Sequence, residues 1–167
     1  MKISLGADGR LPVVEATLKY LEDQGHMITW YGPETREEGY VPYAEVARKV
    51  AADVAGGSAE DGILFCYTGT GVSIAANKVP GIRAALVADA YTAKGARAWN
   101  HANVLCLSMR MTSEELAREI IDAWFENKYD PNAEESITSS VDLLMQMDID
   151  RRGDDTETNE LSRRAQR

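Results

Sequence analysis

Cysteine and histidine are scarce in this chain of 167 residues, which has two of each: Cys66, Cys106, His26 and His101. A zinc cluster of the usual ligands therefore has too few donors, and we predict no metal site. Long apolar runs are also missing, since no stretch approaches the roughly 20 residues that cross a bilayer. The chain starts without a long apolar signal segment, and both cysteines lie in apolar runs, which predicts a cytoplasmic protein.

Basic residues are too few to balance the acidic ones. The chain has 18 Lys and Arg against 27 Asp and Glu, a formal charge of −9. Such a surface repels the backbone of nucleic acids and the anionic faces of membranes, so neither is an expected partner. The hydrophobic fraction of 44% is close to that of ordinary globular domains, which favours one packed domain.

Short apolar runs alternate with longer amphipathic segments, the pattern of a parallel sheet covered by helices. The pattern predicts a single doubly wound, Rossmann-like α/β domain with a five-stranded parallel sheet. The predicted strands are 2–7, 26–31, 62–66, 83–87 and 103–107. The predicted helices are 11–24, 43–55, 72–79, 89–99 and 112–127, the last opened by a capping box of Thr112 and Glu115.

An extra helix is predicted over 134–149, after the breaker Asp130-Pro131-Asn132. Its apolar face either forms a dimer contact or packs on its own sheet. We assign residues 1–149 to the domain and expect residues 150–167, which are polar and nearly free of apolar anchors, to be a disordered tail.

In a doubly wound sheet, ligands bind beyond the carboxyl ends of the strands. The third predicted strand runs there into Cys66-Tyr67-Thr68-Gly69-Thr70-Gly71-Val72-Ser73, and a helix follows. This loop either binds an anion through converging backbone amides or is only a tight turn. Cys66 is either a base or nucleophile near the helix end or a small buried hydrophobe, whereas Cys106 is expected to be structural.

Two other segments carry polar groups near predicted strand ends. Asp8, beside Gly9 and Arg10, either binds a sugar hydroxyl or caps the first helix. The segment from Trp99 to Asn103 holds Asn100 and His101, which either supply a polar anchor and an acid or base or form a helix-ending turn.

Together these motifs resemble the family of type B ribose-5-phosphate isomerases and galactose-6-phosphate isomerase subunits. The similarity spans about residues 1–128. It is strongest in the stretch Gly-Ile-Leu-Phe-Cys-Tyr-Thr-Gly-Thr-Gly-Val-Ser-Ile-Ala-Ala-Asn-Lys-Val-Pro-Gly-Ile-Arg-Ala-Ala at 62–85, and it continues through 91–94, Asn100, 103–105, Arg110 and 121–124.

The resemblance implies an aldose–ketose isomerase that works through an enediolate without a metal or other cofactor. It implies that Cys66 moves a proton between C1 and C2, that Thr68 assists at the oxygens, and that amides from Gly69 to Ser73 hold the oxyanion. It also implies an active site between two subunits of a homodimer, or of a tetramer built from dimers. The predicted catalytic residues are Cys66, Thr68 and His101, and the predicted substrate-binding residues are Asp8, Arg10, Tyr67, Gly69, Thr70, Gly71, Val72, Ser73, Asn100 and Arg110.

The chain departs from the family's pattern at three places. Gly9-Arg10 stands where the family has a histidine after the aspartate, and Trp99 stands where it has its ring-opening histidine, for which His101 is the candidate substitute. Asn132-Ala133-Glu134-Glu135-Ser136 replaces a basic motif that grips phosphate.

These losses predict a shifted substrate. A tetrose or tetrulose phosphate needs no ring opening of the usual kind and is favoured over ribose 5-phosphate. Two alternatives are an anion site moved to Arg10 and a sugar without phosphate. The rival functional hypothesis is a sugar-binding homologue without catalysis.

Overall fold

The computed structural model describes the backbone of residues 1–165 and the side chains of residues 1–150. Five parallel strands form one sheet, as predicted: β1 (Lys2–Ala7), β2 (Met27–Tyr31), β3 (Asp61–Cys66), β4 (Ala84–Leu86) and β5 (Val104–Ser108). The helices are α1 (Pro12–Asp23), α2 (Tyr43–Ala55), α3 (Thr70–Ala76), α4 (Ala90–Asn100), α5 (Glu114–Glu126) and α6 (Glu135–Ala165), with a 3-10 turn at Arg36–Glu38. Within the residues whose side chains the structure describes, no helix is both long enough and apolar enough to span a membrane.

The strand order is β2-β1-β3-β5-β4. From β1 the chain runs to β2 on one side and then to β3 on the other, so the direction of the connections reverses between the hydrogen-bonded neighbours β1 and β3. Loops that leave two such strands in opposite directions open a crevice at their carboxyl ends, where ligands of doubly wound proteins bind. In this chain, Asp8 and Tyr67 are the first residues beyond those ends.

Two apolar layers cover the sheet, and alternate residues of β3 belong to different layers. Ile63 and Phe65 pack in the layer that includes α1, α4 and α5, whereas Leu64 and Cys66 pack in the layer with α2 and α3. Five consecutive residues from Gly62 to Cys66 are buried, as a central strand of a parallel sheet requires.

Several helix ends differ from the predicted ones. The N-cap of α5 is Ser113, whose hydroxyl accepts from the Leu116 amide at 3.1 Å, so the predicted capping box of Thr112 and Glu115 is wrong. The amide of Thr112 instead donates to the Ser108 carbonyl, which closes the turn after β5.

A buried ion pair lies at the amino end of β3. Arg97 Nη1 donates to Asp61 Oδ1 at 2.9 Å, and the indole of Trp124 donates to the same oxygen at 3.3 Å. The side chains of Asp61 and Arg97 are 3% and 13% exposed. Arg97 also donates to the carbonyls of Ala102 and Asn127, so it joins the end of α4 to the entrance of β5 and the end of α5.

The last helix, α6, contacts the domain along α4. Val141 is buried and Asp148 pairs with Arg83 at 3.7 Å, whereas Leu143, Met147 and Ile149 are exposed. The helix therefore packs on its own domain with one side and leaves apolar side chains on another. Its backbone is helical beyond Ile149, the predicted end. The side chains of residues 151–167 lie outside the described residues, so the disordered tail predicted for 150–167 stays a prediction.

Candidate active site

The parallel pairing of β1 and β3 places Asp8 and Cys66 at the same end of the sheet. The Asp8 amide donates to the Phe65 carbonyl at 3.3 Å, and Ala7 pairs with Phe65 in the strand register. On the other side of β3, Cys66 pairs with Ser108 of β5. Two sequence-distant candidates, a carboxylate and a thiol, therefore lie at the carboxyl ends of neighbouring strands.

The sulfur of Cys66 faces the loop that follows it. Cys66 Sγ accepts a hydrogen bond from the Gly69 amide at 3.1 Å, and the residue is 4% exposed. An amide N–H stabilises negative charge on the atom that accepts it. The sulfur thus faces an N–H donor, while the burial of Cys66 keeps bulk water away from it.

The second cysteine has a different environment. Cys106 is fully buried, and desolvation raises the pKa of its thiol far above the usual range. Cys106 therefore stays a neutral thiol, in agreement with the structural role predicted for it.

Gly69 forms the sharp turn of the loop. It adopts a left-handed conformation with φ of 76°, and an added Cβ would lie 2.5 Å from Leu86 Cδ1 and 3.0 Å from the Leu107 carbonyl carbon. Only glycine fits both conditions without strain. The turn aims the Gly69 amide back at the sulfur, so this geometry depends on the glycine.

Some polar groups of the remaining loop residues already have hydrogen-bond partners within the chain, and others are available to a substrate. The hydroxyls of Thr68 and Thr70 are 2.7 Å apart at the exposed surface. The Ser73 amide donates to the Gly69 carbonyl at 3.3 Å, and the Ser73 hydroxyl forms a hydrogen bond with the Cys106 thiol. Both groups of Ser73 therefore already have partners. The first amides of a helix have no acceptor within it, which leaves those of Thr70, Gly71 and Val72 as the candidate donors to a substrate oxygen.

Tyr67 and Arg110 lie together at this edge. The Tyr67 carbonyl accepts from the Ser108 hydroxyl at 3.0 Å and from the Arg110 amide at 3.1 Å, and both residues have exposed side chains. The loops after β3 and β5 are thereby joined. Arg110 therefore lies at the same edge as Cys66, and its substrate-binding role stays a prediction.

Asp8 has a carboxylate oxygen that lacks a partner. Its Oδ1 is buried without a hydrogen bond among the described residues, and desolvation raises the pKa of the carboxyl to about 6. The capping alternative is wrong, because α1 starts at Pro12 with Leu11 at its N-cap and no side-chain cap. A buried acceptor at the mouth of the crevice is suited to a donor brought by a ligand, such as a sugar hydroxyl.

We expect Asp8→Asn to stabilise the protein at pH 8. The native carboxyl has a pKa of about 6, above its unfolded value, so ionisation destabilises the fold as the pH rises through 6. The amide removes that charge and should gain about 1–2 kcal/mol at pH 8, with partial exposure taken into account, and almost nothing at pH 4. Urea unfolding at both pH values measures the difference. Asp23→Asn, in an exposed ion pair, is the control, and equal stability of Asp8→Asn and the parent at pH 8 would contradict the prediction.

Arg10 lies beside Asp8 but its side chain is already in contact with several groups. Its Nη1 donates to the Pro33 carbonyl at 3.2 Å, its guanidinium lies 5.3 Å from the Trp30 ring centroid, and its Nε is 3.8 Å from Glu15 Oε1. Arg10 is therefore held in place by its own subunit.

Asn100 and His101 are not brought to Cys66 within one chain. Both come just before β5, whose first residue Val104 pairs with Gly62 at the amino end of β3. Four strand residues separate that edge from the carboxyl edge, about 13 Å at the usual rise. His101 ends α4 with φ of 50° and stacks on Tyr129, with ring centroids 4.8 Å apart. Burial lowers the pKa of its imidazole. A catalytic role for His101 thus requires a second chain and stays a prediction.

Two tyrosines near the crevice were missed in the sequence. Tyr40 lies against Gly9, where an added Cβ would come within 2.7 Å of the ring, and Tyr43 lies against Gly71, with a corresponding distance of 2.9 Å. Both follow β2, whose carboxyl end also faces the crevice. The rule that ligands bind beyond the carboxyl ends of the strands applies to the loop after β2 as well as to the loops after β1 and β3, and it is the sequence signal for both tyrosines.

Comparisons with known proteins identify the family of the chain. The model of the family described as Ribose/Galactose Isomerase matches residues 3–141. The chain belongs to this family. The galactose-6-phosphate isomerase subunit LacB of Clostridium acetobutylicum is 38% identical over 150 residues, covering 89% of this chain and 86% of the relative.

Members with other names are comparably similar. A D-erythrulose-4-phosphate isomerase of Pectobacterium atrosepticum is 39% identical over 131 residues, covering 78% of this chain and 86% of the relative. The structure of Clostridium thermocellum ribose-5-phosphate isomerase B superposes with a TM-score of 0.82 at 33% identity, covering 90% of this chain and 99% of that chain. The family shows that the protein is an isomerase and confirms the predicted fold, while the relatives differ in the sugar phosphate that their names give.

Proposed function

We propose that this protein interconverts an aldose phosphate and a ketose phosphate through an enediolate, with Cys66 as the base. The observation that carries the proposal is the Cys66 sulfur held at 3.1 Å from the Gly69 amide, at the carboxyl ends of the paired strands β1 and β3. The neighbouring carboxylate of Asp8 supplies an acceptor for a sugar hydroxyl.

The chemistry follows from these groups. The Cys66 thiolate removes the proton from C2 of the open-chain aldose, and the electron pair moves to the C1 carbonyl oxygen to form the enediolate. The thiol then returns the proton to C1, which gives the ketose. The Thr68 hydroxyl moves a proton between O1 and O2. The free amides of Thr70 to Val72 stabilise the oxyanion, for which one good donor contributes about 3–4 kcal/mol.

We favour a four-carbon sugar phosphate as the substrate. When O4 carries the phosphate, it cannot close the five-membered ring that a pentose 5-phosphate forms through O4, so no acid or base is needed to open that ring. Trp99 suits this chemistry, because its indole neither gives nor takes protons at neutral pH. Its ring packs over Gly95 and edge-on to Tyr91, with centroids 5.8 Å apart. The relative named as an erythrulose-4-phosphate isomerase also supports this choice.

We further propose that the working form is a homodimer. Asn100 and His101 lie at the edge opposite Cys66 in their own subunit, so a second copy is required to bring them to the site. The exposed apolar side chains of α6, including Leu143, Met147 and Ile149, offer surface for such a contact.

A substrate panel in deuterated water tests the proposed function. Aldoses and ketoses of four to six carbons, each with and without a terminal phosphate, are incubated with the full chain and followed by NMR. We expect the four-carbon phosphates to give the highest kcat/KM, with solvent deuterium entering the product at the carbon that receives the proton. Thermal shifts by a panel sugar without any conversion would instead favour the sugar-binding homologue.

A further inference from the structure

A second cavity lies beside the candidate active site and contains two cationic side chains. It has a volume of about 190 Å³ and is lined by Gly9, Arg10, Pro12, Arg36, Gly39 and Tyr40, among others. Gly9 directly follows Asp8, and the two residues from Asp8 to Arg10 span at most about 7 Å. The cavity therefore begins at the residue that follows Asp8 in the chain.

The two arginines converge on one anionic group. Arg36 comes from the 3-10 turn after β2, and its Nη2 and Nε donate to Glu15 Oε2 and Oε1 at 2.6 and 3.3 Å. Arg10 Nε lies 3.8 Å from the same Oε1 atom. Both guanidinium groups thus address one carboxylate oxygen, and a phosphate oxygen presents the same kind of acceptor.

The cluster is partly pre-organised. Two guanidinium groups contact the single carboxylate of Glu15, and Glu37 adds a weaker electrostatic attraction to Arg36. Contacts with the Pro33 carbonyl and the Trp30 ring fix Arg10, whose side chain is 22% exposed. Each guanidinium has five N–H donors, and the contacts described use only some of them.

We propose that Arg10 and Arg36 bind the phosphate monoester of the substrate, and that Glu15 is a counter-ion which competes with it. The inference rests on the proposed function, because it assigns the non-reacting end of the same substrate. A phosphate dianion attracts the two guanidinium groups more strongly than the carboxylate of Glu15, so it takes over part of their donors. The anion site is then formed by the subunit that supplies Cys66 and Asp8, and needs no basic motif at 132–136.

Binding of inorganic phosphate to the full chain, measured by calorimetry, tests the two arginines without turnover. We expect Arg10→Gln and Arg36→Gln each to weaken phosphate binding about tenfold or more, the loss typical of a charge-assisted hydrogen bond. In kinetics, the same variants should raise KM for the phosphorylated substrate much more than they lower kcat. Arg118→Gln is the matched control. Arg118 belongs to α5, lies over the ring of Tyr20 in α1, and does not line the cavity.

Glu15→Gln gives the opposite expected sign. Removal of the competing carboxylate frees both guanidinium groups, so phosphate should bind at least a few-fold more tightly than to the parent. A merely structural role of the Arg36–Glu15 pair would make Glu15→Gln and Arg36→Gln change binding in the same direction. Thermal unfolding of each variant verifies that it is folded.

The outcomes separate this inference from the proposed function. Parent-like phosphate binding by folded Arg10→Gln and Arg36→Gln would overturn the inference, even if sugar phosphates are isomerised, and would direct the search to Arg110. Phosphate binding that depends on both arginines, in a protein that converts none of the sugars, would support the inference and contradict the proposed function.

Discussion

Replacement of Cys66 by alanine is expected to abolish measurable isomerisation. A positioned general base contributes about 10²–10⁴-fold to rate, and alanine has no group that can take the proton from C2. The loss should appear in kcat, because the sulfur exchanges a proton with the reacting carbons and does not hold the rest of the sugar. Turnover of the best panel substrate and deuterium incorporation into product should fall together.

The matched control for this prediction is Cys106→Ala. Both cysteines are free and buried, and both pack in the layer with α2 and α3, so the two substitutions remove similar volumes from similar surroundings. Only the Cys66 sulfur accepts the Gly69 amide. We expect Cys106→Ala to keep kcat within a few-fold of the parent. Full turnover by Cys66→Ala would assign the base elsewhere, with Asp8 as the first candidate.

Cys66→Ser separates the effect of the thiol's acidity from the effect of its hydrogen bond with the Gly69 amide. Serine keeps an acceptor for the Gly69 amide, but its hydroxyl is far less acidic than a thiol and does not supply an anionic base at neutral pH. We therefore expect its kcat to be close to that of Cys66→Ala while KM stays near the parent value. Activity of the serine variant close to the parent would contradict the role of a thiolate.

The central part of the candidate site could be predicted from the sequence. Short buried runs identify the strands, and a residue just after a strand must lie at the carboxyl edge. That rule places Asp8 and the loop after Cys66 at one edge, although Asp8 and Tyr67 are 59 positions apart in the sequence. What periodicity could not supply is the strand order, in which β5 separates β3 from β4.

The same rule explains why two of the predicted site residues lie away from Cys66. Asn100 and His101 come before β5, so they must lie at the amino edge, away from Cys66 of their own chain. The sequence associates them with the site only through the family resemblance. Their contribution depends on a second copy, and no pattern within one chain encodes the geometry of that contact.

Buried ionic residues were the main feature that the sequence pattern concealed. Asp61 reads as a polar turn residue before the third strand, yet it is the first residue of β3 and is 2% exposed. Its partners, Arg97 and Trp124, come from α4 and α5, at sequence separations of 36 and 63 residues. Hydrophobic periodicity detects which side chains avoid water, but it cannot show that a distant guanidinium compensates a buried carboxylate.

Asp61→Ala is accordingly expected to be the most destabilising single substitution among those considered. It leaves the Arg97 guanidinium, 13% exposed, without its carboxylate and removes the acceptor of the Trp124 indole. Loss of one partner of a buried pair costs about 3–5 kcal/mol, whereas an exposed pair contributes about 0–1 kcal/mol. Urea unfolding at pH 7 measures the difference.

The control is Asp23→Ala, which removes the carboxylate of the exposed Lys19–Asp23 pair, whose side chains are 75% and 60% exposed. We expect that variant to unfold within about 1 kcal/mol of the parent. The double variant Asp61→Ala with Arg97→Met should recover part of the loss, because methionine removes the uncompensated charge and keeps much of the apolar packing on Trp124. If Asp61→Ala and Asp23→Ala cost the same, the ion pair at the amino end of β3 contributes no more than a surface contact, and the attachment of α4 to β5 must depend on apolar packing instead.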